Sequence, residues 1–257
     1  MKEILIITAA GTSSRFSKSI GKETLKCIYS EPPYNKTILE ILLGYVNTQF
    51  DNIFIVGGYK FDYLQQYVTT HFNKKNIILV CNDHYADYKD NYSLYLGITE
   101  ALRISEGKAN IVYAEGDLIL DKPSFNKVCA SNCCVITSNN DPIYANKAVI
   151  FYQTMQNTIK YLYDPNHSEL FIPEPFTFIA NSGQVWKFTQ ADILQSIVQS
   201  QDASAYKYNN PKIIQEYFFQ LKNNQYKIIN FQQWYNCNTV DDYRNAFQKM
   251  TNEKVLI

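Results

Sequence analysis

The chain has 257 residues, a length that fits one large α/β domain or one domain with an elaborated edge. Its 24 basic and 24 acidic residues cancel, so there is no bulk field to attract nucleic acid or an anionic membrane. No apolar run approaches the roughly 20 residues that would span a bilayer. Lys2 and Glu3 lead directly into a short strand, which is not the pattern of a signal peptide, and the cysteines show no zinc-type spacing. We therefore expect a cytoplasmic protein with reduced thiols.

Apolar runs of strand length alternate with helical patterns through the first half of the chain. The predicted strands are Ile4–Thr8, Asn52–Val56, Asn76–Val80, Asn110–Ala114 and Cys133–Thr137. The predicted helices are Lys36–Thr48, Tyr63–His71 and Tyr92–Ile104. Short strands that are apolar on both faces and separated by helices predict an α/β fold with a mostly parallel, covered sheet. Ligands of such sheets lie beyond the carboxyl ends of the strands.

The regular alternation of strand and helix patterns ends at about Asp141. The pattern there predicts a hairpin of Lys147–Tyr152 and Thr158–Tyr163, then a strand at Gln184–Phe188. Further on, it predicts two helices, a strand and a C-terminal helix, at Ala191–Gln199, Pro211–Lys222, Tyr226–Asn230 and Val240–Met250. We expect this half to be a β elaboration of the first half and not an independent domain.

The first strand ends in a loop of small residues followed by an arginine. The loop runs through Ala9, Ala10, Gly11, Thr12, Ser13 and Ser14 to Arg15. Small side chains let backbone N–H groups approach an anion, and a nearby cation can neutralise it. Neither the P-loop pattern nor the dinucleotide fingerprint is present, because Gly11 stands alone. An ordinary strand-to-helix turn with a surface arginine is the alternative.

This segment resembles the start of the nucleotidylyltransferase superfamily. The resemblance implies a Rossmann-like three-layer α/β/α fold and a loop whose backbone amides bind a nucleoside triphosphate. By the same resemblance, Arg15 holds the β- and γ-phosphates, and a lysine stabilises charge on the α-phosphate. We assign that lysine to Lys22 and place Lys26 second, because Leu25–Tyr29 is predicted to be a buried strand.

Two internal blocks extend the resemblance to bacterial cytidylyltransferases that activate phosphocholine and related compounds. Asn82, Asn91 and Ser93 belong to an Asn-x-x-Tyr…Asn-x-Tyr-Ser-Leu stretch, which implies contacts with the base and ribose. Ser93 as a simple helix cap is the alternative. Asp117, in a Gly-Asp step at a strand end, corresponds to a metal ligand, with a turn aspartate as the alternative.

The closing segment resembles the family's Trp-x-x-x-Asp-Thr segment, in which the aspartate is the second metal ligand. The corresponding residue here is Asn238, which carries no charge and should bind metal more weakly. The expected cofactor is Mg²⁺, with Mn²⁺ as the alternative.

By the same resemblance, the acceptor side lies in the region where the family binds its second substrate. Its predicted binding residues are Lys147, Glu169, Gln184 and Trp186. A core position is the alternative for Trp186. The resemblance divides a single domain, 1–257, into a nucleotide-binding half (1–140), an acceptor-side subdomain (141–233) and a closing metal segment with the C-terminal helix (234–257).

Together these features imply a cytidylyltransferase. It would transfer CMP from CTP to a small phosphorylated acceptor, of the phosphocholine, phosphonate or phosphoglutamine type, for surface polysaccharide modification. Two alternatives stay open: a sugar-1-phosphate nucleotidylyltransferase that uses another NTP, and a non-catalytic nucleotide-binding module. The sequence leaves a homodimer open.

Overall fold

The computed structural model describes residues 1–46, 49–72, 75–145, 149–163, 168–202, 205–207, 211–222 and 224–252. The strands are β1 (Lys2–Ala9), β2 (Asn52–Gly57), β3 (Ile77–Cys81), β4 (Ala109–Glu115), β5 (Leu118–Leu120), β6 (Cys134–Asn139), β7 (Ile150–Thr154), β8 (Ile159–Leu162), β9 (Phe176–Phe188), β10 (Tyr226–Phe231) and β11 (Trp234–Asn236). The helices are α1 (Ser14–Ile20), α2 (Ile38–Tyr45), α3 (Phe61–His71), α4 (Asp90–Ser105), α5 (Lys122–Cys129), α6 (Ala191–Ser200), α7 (Pro211–Phe219) and α8 (Val240–Asn252).

One central sheet organises the chain. Its strand order is β10-β6-β9-β4-β1-β2-β3. Strands β4, β1, β2 and β3 are parallel, with Ile4 of β1 opposite Asn52 on one side and Ile111 on the other. Strand β9 runs antiparallel between β4 and β6, and the hairpin β7–β8 joins β9. The carboxyl ends of β1 and β4 therefore lie side by side.

Helices cover both faces of this sheet, because its inner strands are apolar on both sides. Leu5 and Ile7 of β1 belong to a core cluster that includes α2, α5 and α8. Ile4 and Ile6 belong to a second cluster that includes α4, α6 and α7. Alternate side chains of a strand point to opposite faces, so the two clusters are the two interfaces of a three-layer α/β/α fold. The predicted fold class is confirmed.

The predicted strands and helices are present, and the predicted hairpin is β7–β8. Most ends are shifted by a few residues, but the strand predicted at Gln184–Phe188 is only the last part of β9, which already begins at Phe176. Helix α2 begins at a capping box, in which Thr37 Oγ1 accepts from the Glu40 N–H and Glu40 accepts from the Thr37 N–H. The buried strand expected at Leu25–Tyr29 is wrong, because a 3-10 helix, Lys26–Ile28, stands there. The sequence patterns did not indicate α1, α5 or the small antiparallel pair of β5 and β11.

The closing segment is held against the first half of the chain by side chains of α8. The Arg244 guanidinium donates to both carboxylate oxygens of Glu31, at 2.6 and 2.9 Å. This bidentate pair holds the pKa of Glu31 below its usual range. No helix in the described ranges is long and apolar enough to cross a membrane.

Candidate active site

A cleft of about 780 Å³ opens at the carboxyl ends of β1 and β4. The loop after β1 forms one wall, and β9 with the closing segment forms the other. Its polar lining residues include Thr12, Ser13, Arg15, Lys26, Asp90, Ser93, Glu115, Asp117, Asn139, Asn181, Gln184, Asn236 and Asn238. The cleft lies where ligands of α/β sheets bind.

The loop from Ala9 to Ser14 lines the cleft throughout, as the sequence predicted. Apart from the two chain neighbours of Gly11, no atom of the described residues lies within 4 Å of the place that a Cβ there would take, so the backbone faces open space. Ser13 has a left-handed backbone conformation (φ 53°), and its Oγ accepts from the Lys26 N–H at 3.2 Å. Through this hydrogen bond the loop also holds the backbone of Lys26 in place.

Two cations converge on one amide oxygen in the cleft. Arg15 Nη2 donates to Asn238 Oδ1 at 2.8 Å, and Lys26 Nζ lies 3.4 Å from the same oxygen. Lys26 Nζ also lies 2.5 Å from Asp117 Oδ2. The start of α1, the 3-10 helix at Lys26–Ile28, the end of β4 and the closing segment thus meet in one charged cluster.

The lysine in this cluster is Lys26, whereas the sequence analysis favoured Lys22. In the described part of the chain the lining includes Lys26 but not Lys22, which is exposed just after the αL C-cap of α1 at Gly21. The preference for Lys22 rested on a strand at 25–29. The 3-10 helix found there instead directs Lys26 towards Asp117.

Asp117 has an oxygen suited to a hard cation. Its Oδ1 is buried and has no hydrogen-bond partner among the described residues, although Oδ2 is paired with Lys26. The described residues contain no group of three or more histidine, cysteine or acidic side chains that could hold a metal. A cation at Asp117 would therefore take most of its ligands from a bound substrate and from water, as Mg²⁺ commonly does.

A second carboxylate in the cleft, Asp90, was not predicted. It lies in the first turn of α4, and desolvation of its carboxyl group in the cleft raises its pKa, although the residue as a whole is exposed to solvent. The negative charge of Asp117 raises this pKa further, while Lys26 lowers it. The sequence signal was its place at the N-terminus of α4, directly before Asn91.

Of the three residues predicted to contact the base and ribose, only Ser93 is among the described lining residues. The Asn82 side chain is buried and donates to Ser93 Oγ at 2.9 Å. Asn91 is also buried, and its Oδ1 accepts from the Ile213 N–H at 3.3 Å. The two asparagines therefore lie beneath the cleft surface, where they hold Ser93 and the backbone at Ile213 in place and do not face the cleft.

The predicted acceptor residues have different positions. Gln184 lines the cleft, whereas the exposed Glu169 is not among the described lining residues. Trp186 reaches the cleft wall but is only 1% exposed, stacks on Tyr113 at 5.2 Å and donates to Tyr161 Oη, so it is a core residue. Lys147 lies outside the described residues.

Gly116 allows β4 to end close to β1, directly beside Asp117. Its N–H donates to the Thr8 carbonyl at 2.8 Å, and a Cβ at this position would lie 2.7 Å from that same oxygen.

We expect Gly116→Ala to lower the free energy of unfolding by about 1–3 kcal/mol, because backbone must move to make room. Thermal unfolding followed by circular dichroism measures the change. Gly44→Ala is the matched control, since beyond its own helix no described residue lies within 4 Å of the added Cβ on the exposed side of α2. Equal stability of the two variants would contradict this account of Gly116.

Comparison with known proteins places the chain in one family. Residues 22–250 match the model of a family described as "Domain of unknown function (DUF6564)". The curated proteins contain no match.

Solved structures of low sequence identity share the fold over nearly the whole chain. A CTP:phosphocholine cytidylyltransferase from Streptococcus pneumoniae is 19% identical, with a TM-score of 0.63 over 97% of this chain and 100% of that chain. An inositol-1-phosphate CTP transferase from T. maritima is 15% identical (TM-score 0.66, coverage 97% and 96%). A UDP-glucose pyrophosphorylase with UDP-glucose is 13% identical (TM-score 0.66, coverage 98% and 100%). The chain therefore belongs to the DUF6564 family, and it has the Rossmann-like α/β/α fold of these nucleotidyltransferases.

Proposed function

We propose that this protein is a nucleotidyltransferase, which transfers a nucleoside monophosphate from an NTP to a small phosphorylated acceptor and releases pyrophosphate. The observation that carries the proposal is the convergence of Arg15 and Lys26 on Asn238, beside Asp117, in the cleft that follows β1. Two cations beside a loop of small residues suit a polyphosphate.

The two cations have different roles in this proposal. Arg15 binds the β- and γ-phosphates, which leave as pyrophosphate. Lys26, not Lys22, neutralises the charge that develops on the α-phosphate, because Lys26 is the lysine whose Nζ lies at Asp117. In the free protein Lys26 is paired with Asp117, so binding of the triphosphate exchanges one anionic partner for another.

The chemical step needs no nucleophile from the protein. An oxygen of the acceptor phosphate forms a bond to the α-phosphorus while the bond from that phosphorus to the oxygen bridging to the β-phosphate breaks. The electron pair leaves with pyrophosphate. Because the acceptor is already an anion at neutral pH, the protein contributes mainly positioning and charge neutralisation.

Mg²⁺ is the proposed cofactor, with Mn²⁺ as the alternative. Asp117 would hold it through the oxygen that has no partner among the described residues, and the amide oxygen of Asn238 would join once Arg15 and Lys26 have turned from it to the phosphates. A bound Mg²⁺ supplies charge neutralisation for phosphate oxygens. The single carboxylate supports a cation whose affinity depends on the triphosphate being present.

CTP is the proposed nucleotide, in line with the cytidylyltransferase motifs around Asn91 and Ser93. Two of the structures with this fold are named as CTP-using enzymes. The product would be a CDP-linked compound for surface polysaccharide modification. The second candidate is a sugar-1-phosphate nucleotidyltransferase with another NTP, which the likeness to a UDP-glucose pyrophosphorylase favours.

A pyrophosphate-release screen tests the proposal. Each of CTP, UTP, dTTP, GTP and ATP is incubated with Mg²⁺ and a panel of phosphorylated amines, amides, polyols and sugars. We expect pyrophosphate only when both an NTP and an acceptor are present, with CTP the best nucleotide. Binding of NTPs without pyrophosphate release from any pair would instead identify a binding module.

A further inference from the structure

Three side chains on the acceptor wall of the cleft form a hydrogen-bonded chain. Gln184 Nε2 donates to Glu115 Oε2 at 3.0 Å, and Asn236 Nδ2 donates to Gln184 Oε1 at 3.0 Å. All three residues line the cleft. We call Glu115, Gln184 and Asn236 the carboxamide relay.

Glu115 determines which way the amide groups of Gln184 and Asn236 point. An ionised carboxylate only accepts hydrogen bonds, so the amino group of Gln184 must face it. The carbonyl oxygen of Gln184 then faces Asn236, which must donate its own amino group. Both carboxamides are therefore held in one orientation although each could flip on its own.

The relay ends in an acceptor that lacks a donor. Asn236 Oδ1 is buried and has no hydrogen-bond partner in the described part of the chain. A buried, unpaired acceptor is costly and calls for an explanation, since nearly all such groups in folded proteins are paired. Because the residue lies on the cleft wall, a ligand with a hydrogen-bond donor can relieve this cost by a small shift of the Asn236 side chain.

The backbone is shaped to place Gln184 in this chain. Ile136 pairs with Trp186 and Ser138 with Ser182, so Gly183, Gln184 and Val185 bulge opposite Thr137. Gln184 has a left-handed conformation (φ 54°), although it is not a glycine. β-Bulges with a strained backbone are common beside active sites, where they direct one side chain into the site.

Thr137 fixes this bulge from the neighbouring strand. Its Oγ1 donates to the Val185 carbonyl at 2.6 Å and accepts from the Val185 N–H at 3.1 Å. A Cβ at Gly183 would lie 2.6 Å from Thr137 Oγ1, so the close approach of the strands requires glycine there. The position of Gln184 is therefore built into the sheet.

The rest of this wall is mostly polar, with one acidic side chain at Asp141 and the rings of Tyr144 and Tyr163 beside it. Asn139 and Asn181 line it with Ser182. The described cations of the cleft lie elsewhere, with Arg15 in α1, Lys26 in the 3-10 helix and Lys249 in α8. Trp186 cannot serve as one side of an aromatic cage for a quaternary ammonium, because its ring is buried against Tyr113. Carboxamide groups suit a ligand with hydroxyl groups, because both kinds of group donate and accept hydrogen bonds.

We propose that the carboxamide relay determines the choice of acceptor and recognises a hydroxyl-bearing phosphate of the polyol- or sugar-phosphate type, in preference to phosphocholine. This inference rests on the proposed function. Gln184 and Asn236 would contact the acceptor hydroxyls, and Glu115 would be a positioning residue that acts through Gln184.

Acceptor preference gives the first test. Pyrophosphate release with CTP and Mg²⁺ is compared for glycerol phosphate, inositol phosphate and glucose 1-phosphate against phosphoethanolamine and phosphocholine. We expect kcat/KM for the best hydroxylated acceptor to exceed that for phosphocholine by at least about tenfold. A preference for phosphocholine or phosphoethanolamine would overturn the proposed role of the relay in acceptor choice, while nucleotidyl transfer itself would still hold. If no acceptor yields pyrophosphate, the proposed function itself fails.

Variants of the relay give the second test. We expect Gln184→Leu to raise KM for the hydroxylated acceptor by about tenfold or more, with KM for CTP unchanged. Glu115→Gln, which leaves both amides free to flip, should raise the same KM by less. Gln65→Leu, on the exposed side of α3, is the matched control and should change neither. Equal KM values for Gln184→Leu and the control would overturn the proposal.

A metal-binding readout excludes another role for Asn236. Mn²⁺ affinity in the presence of CTP, followed by electron paramagnetic resonance, should be the same in Asn236→Ala and the unmodified protein, while KM for the acceptor rises. Loss of Mn²⁺ affinity in Asn236→Ala would make this residue a metal ligand and overturn its place in acceptor recognition.

Discussion

Replacement of Lys26 by alanine is expected to lower kcat for nucleotidyl transfer by about 10²–10³, the usual cost of losing one group that stabilises developing charge. The reason is geometric, because Lys26 Nζ lies 2.5 Å from Asp117 and 3.4 Å from Asn238 Oδ1, between the loop and the closing segment. Steady-state pyrophosphate release at saturating CTP and acceptor measures the effect on kcat alone.

The chain offers its own matched control in Lys22. This lysine is exposed and is not among the described lining residues, so Lys22→Ala should keep kcat within about twofold of the unmodified protein, as surface substitutions usually do little. Circular dichroism of both variants confirms that each is folded. The opposite pattern, a large loss for Lys22→Ala and a small one for Lys26→Ala, would return the catalytic role to Lys22.

Replacement of Asp117 by asparagine is expected to lower kcat/KM by roughly 100-fold or more, because it removes the only carboxylate proposed to hold the cation. The change keeps the shape of the side chain but removes its charge, and the buried Oδ1 position becomes a neutral group. Lys26 also loses its anionic partner. Titration of activity with Mg²⁺ should show a midpoint shifted to a much higher concentration.

Binding of Mn²⁺ gives a readout of Asp117 that does not depend on turnover. Electron paramagnetic resonance in the presence of CTP should show weaker Mn²⁺ binding in Asp117→Asn and unchanged binding in Asp83→Asn, a control at an exposed aspartate outside the described lining. An unaltered Mg²⁺ midpoint and unaltered Mn²⁺ binding in Asp117→Asn would remove Asp117 from the metal site.

Local patterns in the sequence predicted most of the fold. Short apolar runs located β1, β2, β3, β4 and β6, because strands inside a covered sheet carry apolar side chains on both faces. The loop from Ala9 to Arg15 was predicted in the correct place, since the end of β1 determines it. Short elements such as β5 and β11 were missed because each has only three residues, and their pairing joins segments more than a hundred residues apart.

The site was harder to predict because its geometry comes from contacts distant in sequence. The turn at Lys26–Ile28 reads as an apolar strand, so the sequence favoured Lys22 over the lysine that reaches Asp117. Asn82 and Asn91 were expected in the cleft, but their side chains are turned inward to Ser93 and to the backbone at Ile213. Glu115 and Asn236 could not be linked to Gln184 without the bulge in β9.

The proposed nucleotidyl transfer in this cleft is tested most directly by ³¹P NMR of the complete reaction. With CTP, Mg²⁺ and the best acceptor, we expect the three CTP resonances to be replaced by those of pyrophosphate and by the coupled pair of a CDP-linked diphosphate, the two products in equal amounts. Release of orthophosphate, or spectra that stay unchanged with every acceptor while CTP binds, would contradict it.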